Sequence, residues 1–168
     1  MLDRSEGRYA VTIRRFEAPD APRVCEIYYR SVREVGPAKY TQAQLEWWAP
    51  KIPDTEKWRK RCLEYVTFVA EDHRSDVVGW IAMREDGYVD MLFCLPEVTG
   101  RGVGAALYAA MERAAIERGV KELTAHASAF AESLFKKFGW VVRERETVGE
   151  GDAAITRAVM AKALPPSS

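Results

Sequence analysis

Three glycines within five residues, Gly100, Gly102 and Gly104, form the stretch of this sequence with the clearest chemistry. They follow an apolar run, 88–94, that predicts a strand, and they precede a segment with helical spacing. The first turn of a helix has N–H groups without internal partners and carries partial positive charge. Such a turn binds phosphate through its main chain, and Arg101 adds a cation. The stretch therefore predicts a phosphate-binding site.

Spacing separates this stretch from two other glycine-rich phosphate loops. A P-loop requires Lys and then Ser or Thr directly after its last glycine, but Ala105 and Ala106 occupy those positions. A dinucleotide-binding turn can be read as Gly100-x-Gly102-x-x-Ala105, yet residues 96–99 separate it from the strand. No acidic residue for a ribose is evident on a second strand. A glycine-rich helix start without a ligand is the remaining alternative.

Aromatic side chains are concentrated in one short region, which contains Tyr40, Trp47, Trp48 and Trp58. Packing between two helices explains these rings without any ligand. Alternatively, some of them wall a binding pocket, because aromatic rings hold apolar and cationic ligands. The sequence leaves both interpretations open.

The elements that must position these residues follow from periodicity and from turn residues. Their order is β-α-α-β-β-β-α-β-α-β-β when the short helix 42–48 is left out of the count. The Asp86-Gly87 dipeptide predicts a tight hairpin turn, so that strands two to four form an antiparallel meander with a candidate bulge at Gly79. A helix crosses between strands four and five, which makes those two strands parallel. The predicted strands are 9–16, 66–71, 77–84, 88–94, 122–127, 140–148 and 153–163, and the predicted helices are 20–35, 42–48, 55–65, 105–118 and 129–138.

Composition excludes several classes of function. With 168 residues, 48% of them hydrophobic, the chain is long enough for one domain with a core. The formal net charge is zero, which gives no electrostatic case for binding nucleic acid or an anionic membrane. No apolar run approaches the roughly 18 residues of a membrane span, and residues 1–6 lack a signal-peptide core. Three cysteines and two histidines without metal-type spacing predict reduced thiols, no metal site and a cytoplasmic location.

The glycine stretch resembles the coenzyme-binding loop of one family. Residues 96–104 are similar to the pyrophosphate loop of GNAT-superfamily N-acetyltransferases, which has the pattern Q/R-x-x-G-x-G/A after a strand. Gly102 and Gly104 match its glycines, whereas Thr99 stands where the family has Gln or Arg. The order of elements is also the GNAT order and covers nearly the whole chain. Residues 40–50, with Tyr-Thr-x-x-Gln-x-x-x-Trp-Ala-Pro, resemble a poorly characterised bacterial branch.

A second family pattern, N-x-x-A-x-x-x-Y-x-x-x-G-F, resembles residues 128–140. Ala131 and Gly139 match this pattern, and a Trp replaces its final Phe. Ser128 stands in the place of the Asn, and Phe135 stands in the place of the Tyr. The departure at Phe135 removes a hydroxyl that many relatives use.

The resemblance implies an α/β (α+β) fold with a mixed central sheet of about seven strands, antiparallel except for strands four and five, flanked by helices. One domain would cover residues 1–164, followed by a frayed tail, 165–168. The implied reaction moves an acetyl group from acetyl-CoA to a primary amine by direct attack. A small-molecule amine is favoured over a peptide or protein amine, and we expect a monomer or a homodimer.

The resemblance also implies how the coenzyme is held. The pantetheine arm pairs with strand four where that strand separates from strand five, and a strand-four N–H holds the developing oxyanion. The pyrophosphate lies on the main-chain amides of residues 101–104. The coenzyme-binding residues implied in this way are Leu92, Phe93, Cys94, Thr99, Gly100, Arg101, Gly102, Val103, Gly104, Phe135 and Lys137.

The candidate general base is Asp90, which matches the strand-four carboxylate of histone-type relatives. Strict strand alternation places Asp90 on one face with Leu92 and Cys94. The alternative is that Asp90 is a solvated strand residue. His126 and Glu85 are weaker candidates for the base.

The sequence also offers candidates for the group that protonates the leaving thiolate and for the residues that bind the amine. Because Phe135 has no hydroxyl, Ser128 or a water would protonate the leaving thiolate. Two rival functions remain: a coenzyme-binding module without catalysis, favoured by Phe135 and Thr99, and a nucleotide-binding redox domain. The candidate acceptor-binding residues are Trp47, Trp48 and Tyr40.

Overall fold

The computed structural model describes residues 7–167, which contain seven strands and five α-helices. The stretch 1–6 and the last residue of the predicted tail lie outside the described residues. Within 7–167, no helix combines the length and the apolar content needed to cross a bilayer. The strands are β1 Thr12–Arg15, β2 Val66–Glu71, β3 Val77–Met83, β4 Val89–Cys94, β5 Glu122–Ala127, β6 Val141–Val148 and β7 Ile155–Ala163. The helices are α1 Ala21–Arg30, α2 Gln42–Trp48, α3 Thr55–Glu64, α4 Val103–Glu117 and α5 Ala129–Lys137.

Side-chain caps fix where three of the helices begin. Thr41 and Gln44 form a capping box at α2, in which the Gln44 N–H donates to Thr41 Oγ1 at 3.3 Å and the Thr41 N–H donates to Gln44 Oε1 at 2.8 Å. Asp54 caps α3 by accepting from the Lys57 N–H at 2.8 Å. Ser128 caps α5. The predicted helix 20–35 is shorter, because α1 ends at Arg30 and continues as a π turn and a 3-10 turn.

The strands form two antiparallel sheets, with the orders β1-β2-β3-β4 and β5-β7-β6. Every residue of β3 is buried, because α1 and α4 both pack against it. The predicted bulge near Gly79 is present, since Ala70 pairs with Gly79 and the next residue pairs with Val77. A side chain at Gly79 would meet Leu107 of α4 at 3.1 Å, so the glycine permits the close approach of that helix.

The prediction of one continuous sheet needs correction at the junction of β4 and β5. These strands meet at a single parallel bridge, Tyr88 with Thr124, and no ladder joins them beyond it in the described part of the chain. The Thr124 N–H donates to the Gly87 carbonyl at 3.1 Å. Gly87 has a φ of 93°, and a Cβ there would lie 2.5 Å from the Glu122 carbonyl oxygen. Only glycine therefore allows the hairpin turn to approach β5 so closely.

The main core lies between the first sheet and its helices and extends below α5. Trp80 is completely buried, and its Nε1 is the buried side-chain N or O atom without a hydrogen-bond partner in residues 7–167. Phe135 is 2% exposed and stacks on Trp140 with a centroid distance of 4.5 Å. The Trp140 Nε1–H donates to the Tyr108 hydroxyl at 2.8 Å. Phe135 is therefore a core residue of α5.

One buried carboxylate ties β1 to the start of α1. Asp20 is 9% exposed and accepts from both terminal nitrogens of Arg14 at 2.8 Å, and from the Glu17 N–H at 2.8 Å. Burial by itself raises the pKa of Asp20, but the bonds from Arg14 and Glu17 outweigh it and hold the pKa below its usual value. A carboxyl whose pKa is lowered by folding stabilises the protein above its unfolded pKa of about 3.9, and this stability is lost as the pH falls through the folded pKa.

We expect Asp20→Asn to lower the free energy of unfolding at pH 7 by about 1–3 kcal/mol, because the half-buried Arg14 guanidinium loses one of its two charged acceptors and keeps only Glu71. The difference from wild type should shrink as the pH falls below about 4. Urea unfolding between pH 7 and pH 3 measures both effects. As the control, Glu26→Gln removes one partner of the partly exposed Arg23–Glu26 pair and should change stability by less than about 0.5 kcal/mol. A pH-independent difference for Asp20→Asn would contradict the ionic account.

Candidate functional site

The glycine loop after β4 leaves a run of main-chain amides without acceptors. Gly102, with a φ of 89°, is the N-cap of α4, and the first helical bond runs from the Ala106 N–H to the Gly102 carbonyl at 3.1 Å. Among residues 7–167, no acceptor is present for the N–H groups of Gly102, Val103, Gly104 and Ala105. The Arg101 N–H, by contrast, donates to the Val98 carbonyl at 3.2 Å. The free amides are therefore shifted by one residue from the predicted run 101–104.

Two of the predicted coenzyme residues direct their side chains elsewhere. The Arg101 guanidinium lies over the Tyr9 ring, with its Cζ 5.0 Å from the centroid, and its Nε donates to the Gly7 carbonyl at 3.4 Å. The Val103 side chain is 1% exposed and belongs to the core. The prediction of Arg101 as a fixed cation at the phosphate site therefore finds no support in its side-chain position.

A cavity of about 350 Å³ and a larger one of about 580 Å³ lie against β4. The larger, which we call the glycine-loop cavity, is bounded by the end of β4, the glycine loop and α5. Phe135 does not line it, because its ring is in the core. Phe130, Ala131 and Leu134 of α5 line it instead. The predicted coenzyme residues that line this cavity are Leu92, Phe93, Cys94, Thr99, Gly100, Gly102, Gly104 and Lys137.

The smaller cavity, which we call the aromatic cavity, is bounded by rings from α1, α2, α3 and β4. Its polar lining consists of Arg61, Asp90, His126, Ser128 and Arg157. Trp47 is 48% exposed and lies at its rim. The aromatic residues that line this cavity are Tyr28, Tyr40, Trp47, Trp48, Trp58, Tyr88 and Phe93.

The two cavities share one boundary. Trp48, Phe93 and Ser128 line both of them. The Tyr40 ring packs edge-on against Trp48 with a centroid distance of 5.4 Å. The short helix α2 therefore supplies both a wall of the aromatic cavity and part of the boundary. The two cavities are therefore neighbours at these three residues.

Asp90 lies at a bulge in β4, which changes the expected direction of its side chain. Val89 pairs with Met83 and Met91 pairs with Ala82, so Asp90 is an extra residue without a partner on β3. Asp90, Met91 and Phe93 line the aromatic cavity, whereas Leu92 and Cys94 line the glycine-loop cavity. The predicted strict alternation of Asp90, Leu92 and Cys94 is therefore wrong, because the bulge separates Asp90 from the other two.

The outer edge of β4 has main-chain groups that no strand uses. The Leu95 N–H donates to the Val78 carbonyl of β3 at 2.8 Å. Because successive amides of a strand point to opposite sides, the N–H groups of Met91 and Phe93 also face β3. Those of Leu92 and Cys94 face the open edge, where β4 has no partner strand in the described residues. Two free donors therefore line the gap between β4 and β5.

Two hydroxyls lie where β5 gives way to α5. The Ser128 Oγ accepts from the Ala131 N–H at 3.3 Å, and the Tyr40 Oη accepts from the Ala129 N–H at 2.8 Å. Since each oxygen is an acceptor in its bond, each hydroxyl keeps its own proton for another partner. Tyr40, which the sequence predicts to contact the amine substrate, therefore also supplies a hydroxyl that can donate a proton near Ser128.

His126 and Asp90 differ in how they are held. The His126 Nδ1 lies 3.3 Å from Glu146 Oε1, which also accepts from Arg157, and its ring is edge-on to Tyr88 at 5.5 Å. The His126 Nδ1 therefore already has a partner within the protein. No side-chain hydrogen bond or ion pair involves Asp90 in residues 7–167. Asp90 is the cavity carboxylate that remains available.

The cysteine and metal chemistry of the site is limited. Burial raises the pKa of the Cys94 thiol to about 12, so Cys94 is not a thiolate nucleophile at neutral pH. No group of three or more His, Cys, Asp or Glu side chains in residues 7–167 is arranged to hold a metal ion. The site can hold a ligand by main-chain amides, rings and a few charges.

Sequence reasoning missed Arg61, Tyr28 and Tyr88 in the aromatic cavity. Arg61 was detectable, because it lies three residues after Trp58 and therefore on the same face of α3. Tyr28 belongs to the apolar face of α1, where packing alone explains a ring. Nothing in the sequence indicated that it also borders a cavity.

Comparison with known proteins agrees with this architecture. The family model described as an acetyltransferase (GNAT) domain matches residues 37–162. The chain is 30% identical over 138 residues to the uncharacterized N-acetyltransferase YafP of Escherichia coli K12, which covers 82% of this chain and 86% of that protein.

Solved structures show the same fold. A GCN5-related N-acetyltransferase from Rhodopseudomonas palustris superposes with a TM-score of 0.85 at 29% identity, covering 94% of this chain and 98% of that one. The PaiA N-acetyltransferase of Thermoplasma acidophilum, whose structure is a complex with coenzyme A, superposes with a TM-score of 0.75 at 18% identity, covering 92% and 99%. The free amides of the glycine loop and the parting of β4 and β5 agree with the matched family model. This chain belongs to the GNAT family of N-acetyltransferases.

Proposed function

We propose that the protein transfers the acetyl group of acetyl-CoA to a primary amine of a small molecule, by direct attack of the amine on the thioester. The single observation that carries this proposal is the shared boundary of the two cavities at Trp48, Phe93 and Ser128. A coenzyme in the glycine-loop cavity and an acceptor in the aromatic cavity would meet there. Proximity of the two reactants is the first requirement of such a transfer.

The coenzyme follows the free donors along the glycine-loop cavity. Its pyrophosphate binds the amides from Gly102 to Ala105, where the dipole of α4 favours negative charge. Lys137 at the same cavity adds a cation. The pantetheine arm pairs with the open edge of β4 through the N–H groups of Leu92 and Cys94. The solved relative from Thermoplasma acidophilum contains coenzyme A, which supports this ligand class.

The chemistry requires that one proton leaves the acceptor and that another reaches the sulfur. An alkylammonium has a pKa of about 10.4, so Asp90 takes its proton directly or through a water. The neutral nitrogen forms a bond to the carbonyl carbon, and the oxyanion is held by the N–H of Leu92 or Cys94. The C–S bond then breaks. The thiolate, whose thiol has a pKa of about 8.5, takes a proton from the hydroxyl of Tyr40 or Ser128.

A second candidate function is a coenzyme-binding module without turnover. Phe135 favours it, because this residue has no hydroxyl at the position where the family pattern has tyrosine. Thiol release from acetyl-CoA, measured against a panel of amines, separates the two functions. Binding of CoA without amine-dependent thiol release would favour the module and contradict the transferase.

We expect Gly104→Asp to weaken CoA binding by about 100-fold, because it adds a negative charge beside the free amides. The fold should tolerate it, since a Cβ at Gly104 meets only Leu134, at 3.5 Å, and an acidic residue suits the first turn of a helix. Isothermal titration with CoA measures the affinity. Ala109→Asp adds the same charge at an exposed position of the same helix and should leave affinity within about twofold of wild type. Equal affinities of the two variants would contradict the assignment of the phosphate site.

Asp90→Asn tests the general base. We expect kcat/KM for the amine to fall by about 100-fold with unchanged CoA affinity, because an amide cannot take the ammonium proton. The defect should narrow as the pH approaches the amine pKa of about 10.4, where the acceptor is already neutral. Glu85→Gln is the matched control, since Glu85 is exposed and borders neither cavity. A defect that stays constant with pH would exclude Asp90 as the base.

Tyr40→Phe tests the proton donor to sulfur. We expect kcat to fall by about 10- to 100-fold and the defect to shrink above pH 8.5, where the leaving thiolate no longer needs a proton. Loss of the bond to the Ala129 N–H alone would give a defect without pH dependence. Tyr29→Phe is the control, because Tyr29 also lies near α2 but borders neither cavity. If Ser128→Ala gives the pH-dependent defect and Tyr40→Phe does not, the donor is Ser128.

A further inference from the structure

The aromatic cavity contains two opposite charges that the protein itself does not pair. Arg61 lies on its α3 wall and Asp90 on its β4 wall. Neither side chain makes an ion pair or a hydrogen bond with any residue in 7–167, although both are half-buried. The Arg61 guanidinium contacts only a ring, with its Cζ 5.9 Å from the Trp58 centroid.

The other basic side chains that line this cavity have partners within the protein. Arg157 donates to Glu146, and the same carboxylate lies beside His126. A partly buried charge without a partner is unfavourable, because it has lost hydration without gaining a counter-charge. The cavity therefore presents one unmatched cation and one unmatched anion to a ligand.

Aromatic rings line the same cavity as these two charges. Tyr28 packs on Trp58 with a centroid distance of 4.7 Å and on Phe93 at 5.0 Å. The cavity volume of about 350 Å³ is at the small end of the range of small-molecule sites, roughly 300–1,000 Å³. Such a site suits a compact ligand that has an apolar body, one positive group and one negative group.

We infer that the acceptor is a free α-amino acid with an aromatic or large aliphatic side chain. Its carboxylate binds the Arg61 guanidinium, which matches a carboxylate in a two-point geometry. Its amino group lies by Asp90 and points along β4 to the boundary at Phe93, and its side chain packs on Tyr28 and Trp58. This inference rests on the proposed function, since it names the acceptor class of the same transfer, in which an amide bond forms and the thioester C–S bond breaks.

The test compares amino acids with the amines that lack only the carboxylate. L-Phenylalanine, L-tryptophan and L-leucine are paired with phenethylamine, tryptamine and isoamylamine. Affinity for the CoA-loaded protein is measured by calorimetry, and thiol release is measured with acetyl-CoA. We expect each amino acid to bind about 10- to 100-fold more tightly than its amine, which is the range for a hydrogen-bonded charged group.

Variants of α3 assign this preference to Arg61. Arg61→Met should bring the ratio of amino-acid to amine affinity close to one and leave CoA affinity unchanged. Arg61→Lys should give an intermediate ratio, because it keeps the charge but loses the planar fork. Lys60→Met is the matched control, since Lys60 is exposed on the same helix, borders neither cavity and should keep the wild-type ratio.

Each outcome decides one of the two proposals. Equal binding of amino acids and amines by wild type, no binding of any amino acid, or an unchanged ratio in Arg61→Met would overturn the amino-acid assignment. If Arg61→Met does not fold, the comparison of amino acids with amines on the wild-type protein still tests the assignment, because it needs no variant. If thiol is released with the amines that lack a carboxylate but not with the amino acids, the proposed transferase activity is supported and the amino-acid acceptor is excluded. If amino acids bind tightly through Arg61 but no thiol is released, the amino-acid site is supported and the proposed acetyl transfer is contradicted.

Discussion

The parting of β4 and β5 after a single bridge is the constraint on which the rest of the structure depends. At Tyr88 and Thr124 the strands are joined, and Gly87 allows their backbones to approach. Beyond that point β5 pairs with β7, while β4 pairs only with β3. A strand edge without a partner is a liability unless something covers it. Both cavities lie against β4 and share Trp48, Phe93 and Ser128, so the proposed coenzyme groove and the proposed acceptor pocket are neighbours along this edge.

Polar groups without protein partners follow the same line through the molecule. The amides of the glycine loop come first, then the edge donors of β4, then Asp90 and finally Arg61. Elsewhere in the described residues the protein pairs its buried polar side chains, as in the bonds of Asp20 and in the bond from Trp140 to Tyr108, with the Trp80 Nε1 as the exception. Except for Val103, the residues that carry these free groups are exposed or partly buried and border the two cavities, so a bound ligand is the partner that would satisfy them.

The sequence was sufficient for the order of the elements and for the glycine loop, because both depend on local signals. Thr41, Asp54 and the Asp86-Gly87 turn act within a few residues and set their elements where predicted. The bulge at Asp90 and the side-chain position of Arg101 could not be predicted. The first depends on a shift of pairing between two strands, and the second on a contact with Tyr9, which is more than 90 residues away in the chain. The role of Arg61 could not be predicted for the same reason, because only the tertiary structure shows that no carboxylate of the described residues pairs with it across the cavity.

Phe135 shows how a family pattern is altered without loss of the fold. Its ring lies between Trp140 and Tyr108, at centroid distances of 4.5 Å and 5.9 Å. The Tyr108 hydroxyl already accepts from Trp140 and donates to Glu112. A hydroxyl on residue 135 would enter this apolar stack and, without a partner, would cost about 1–3 kcal/mol. Phenylalanine is therefore the residue that this packing favours. In the proposed reaction the proton for the leaving thiolate then comes from another element, and the N–H of Ala129 holds the Tyr40 oxygen at the start of α5, beside Ser128.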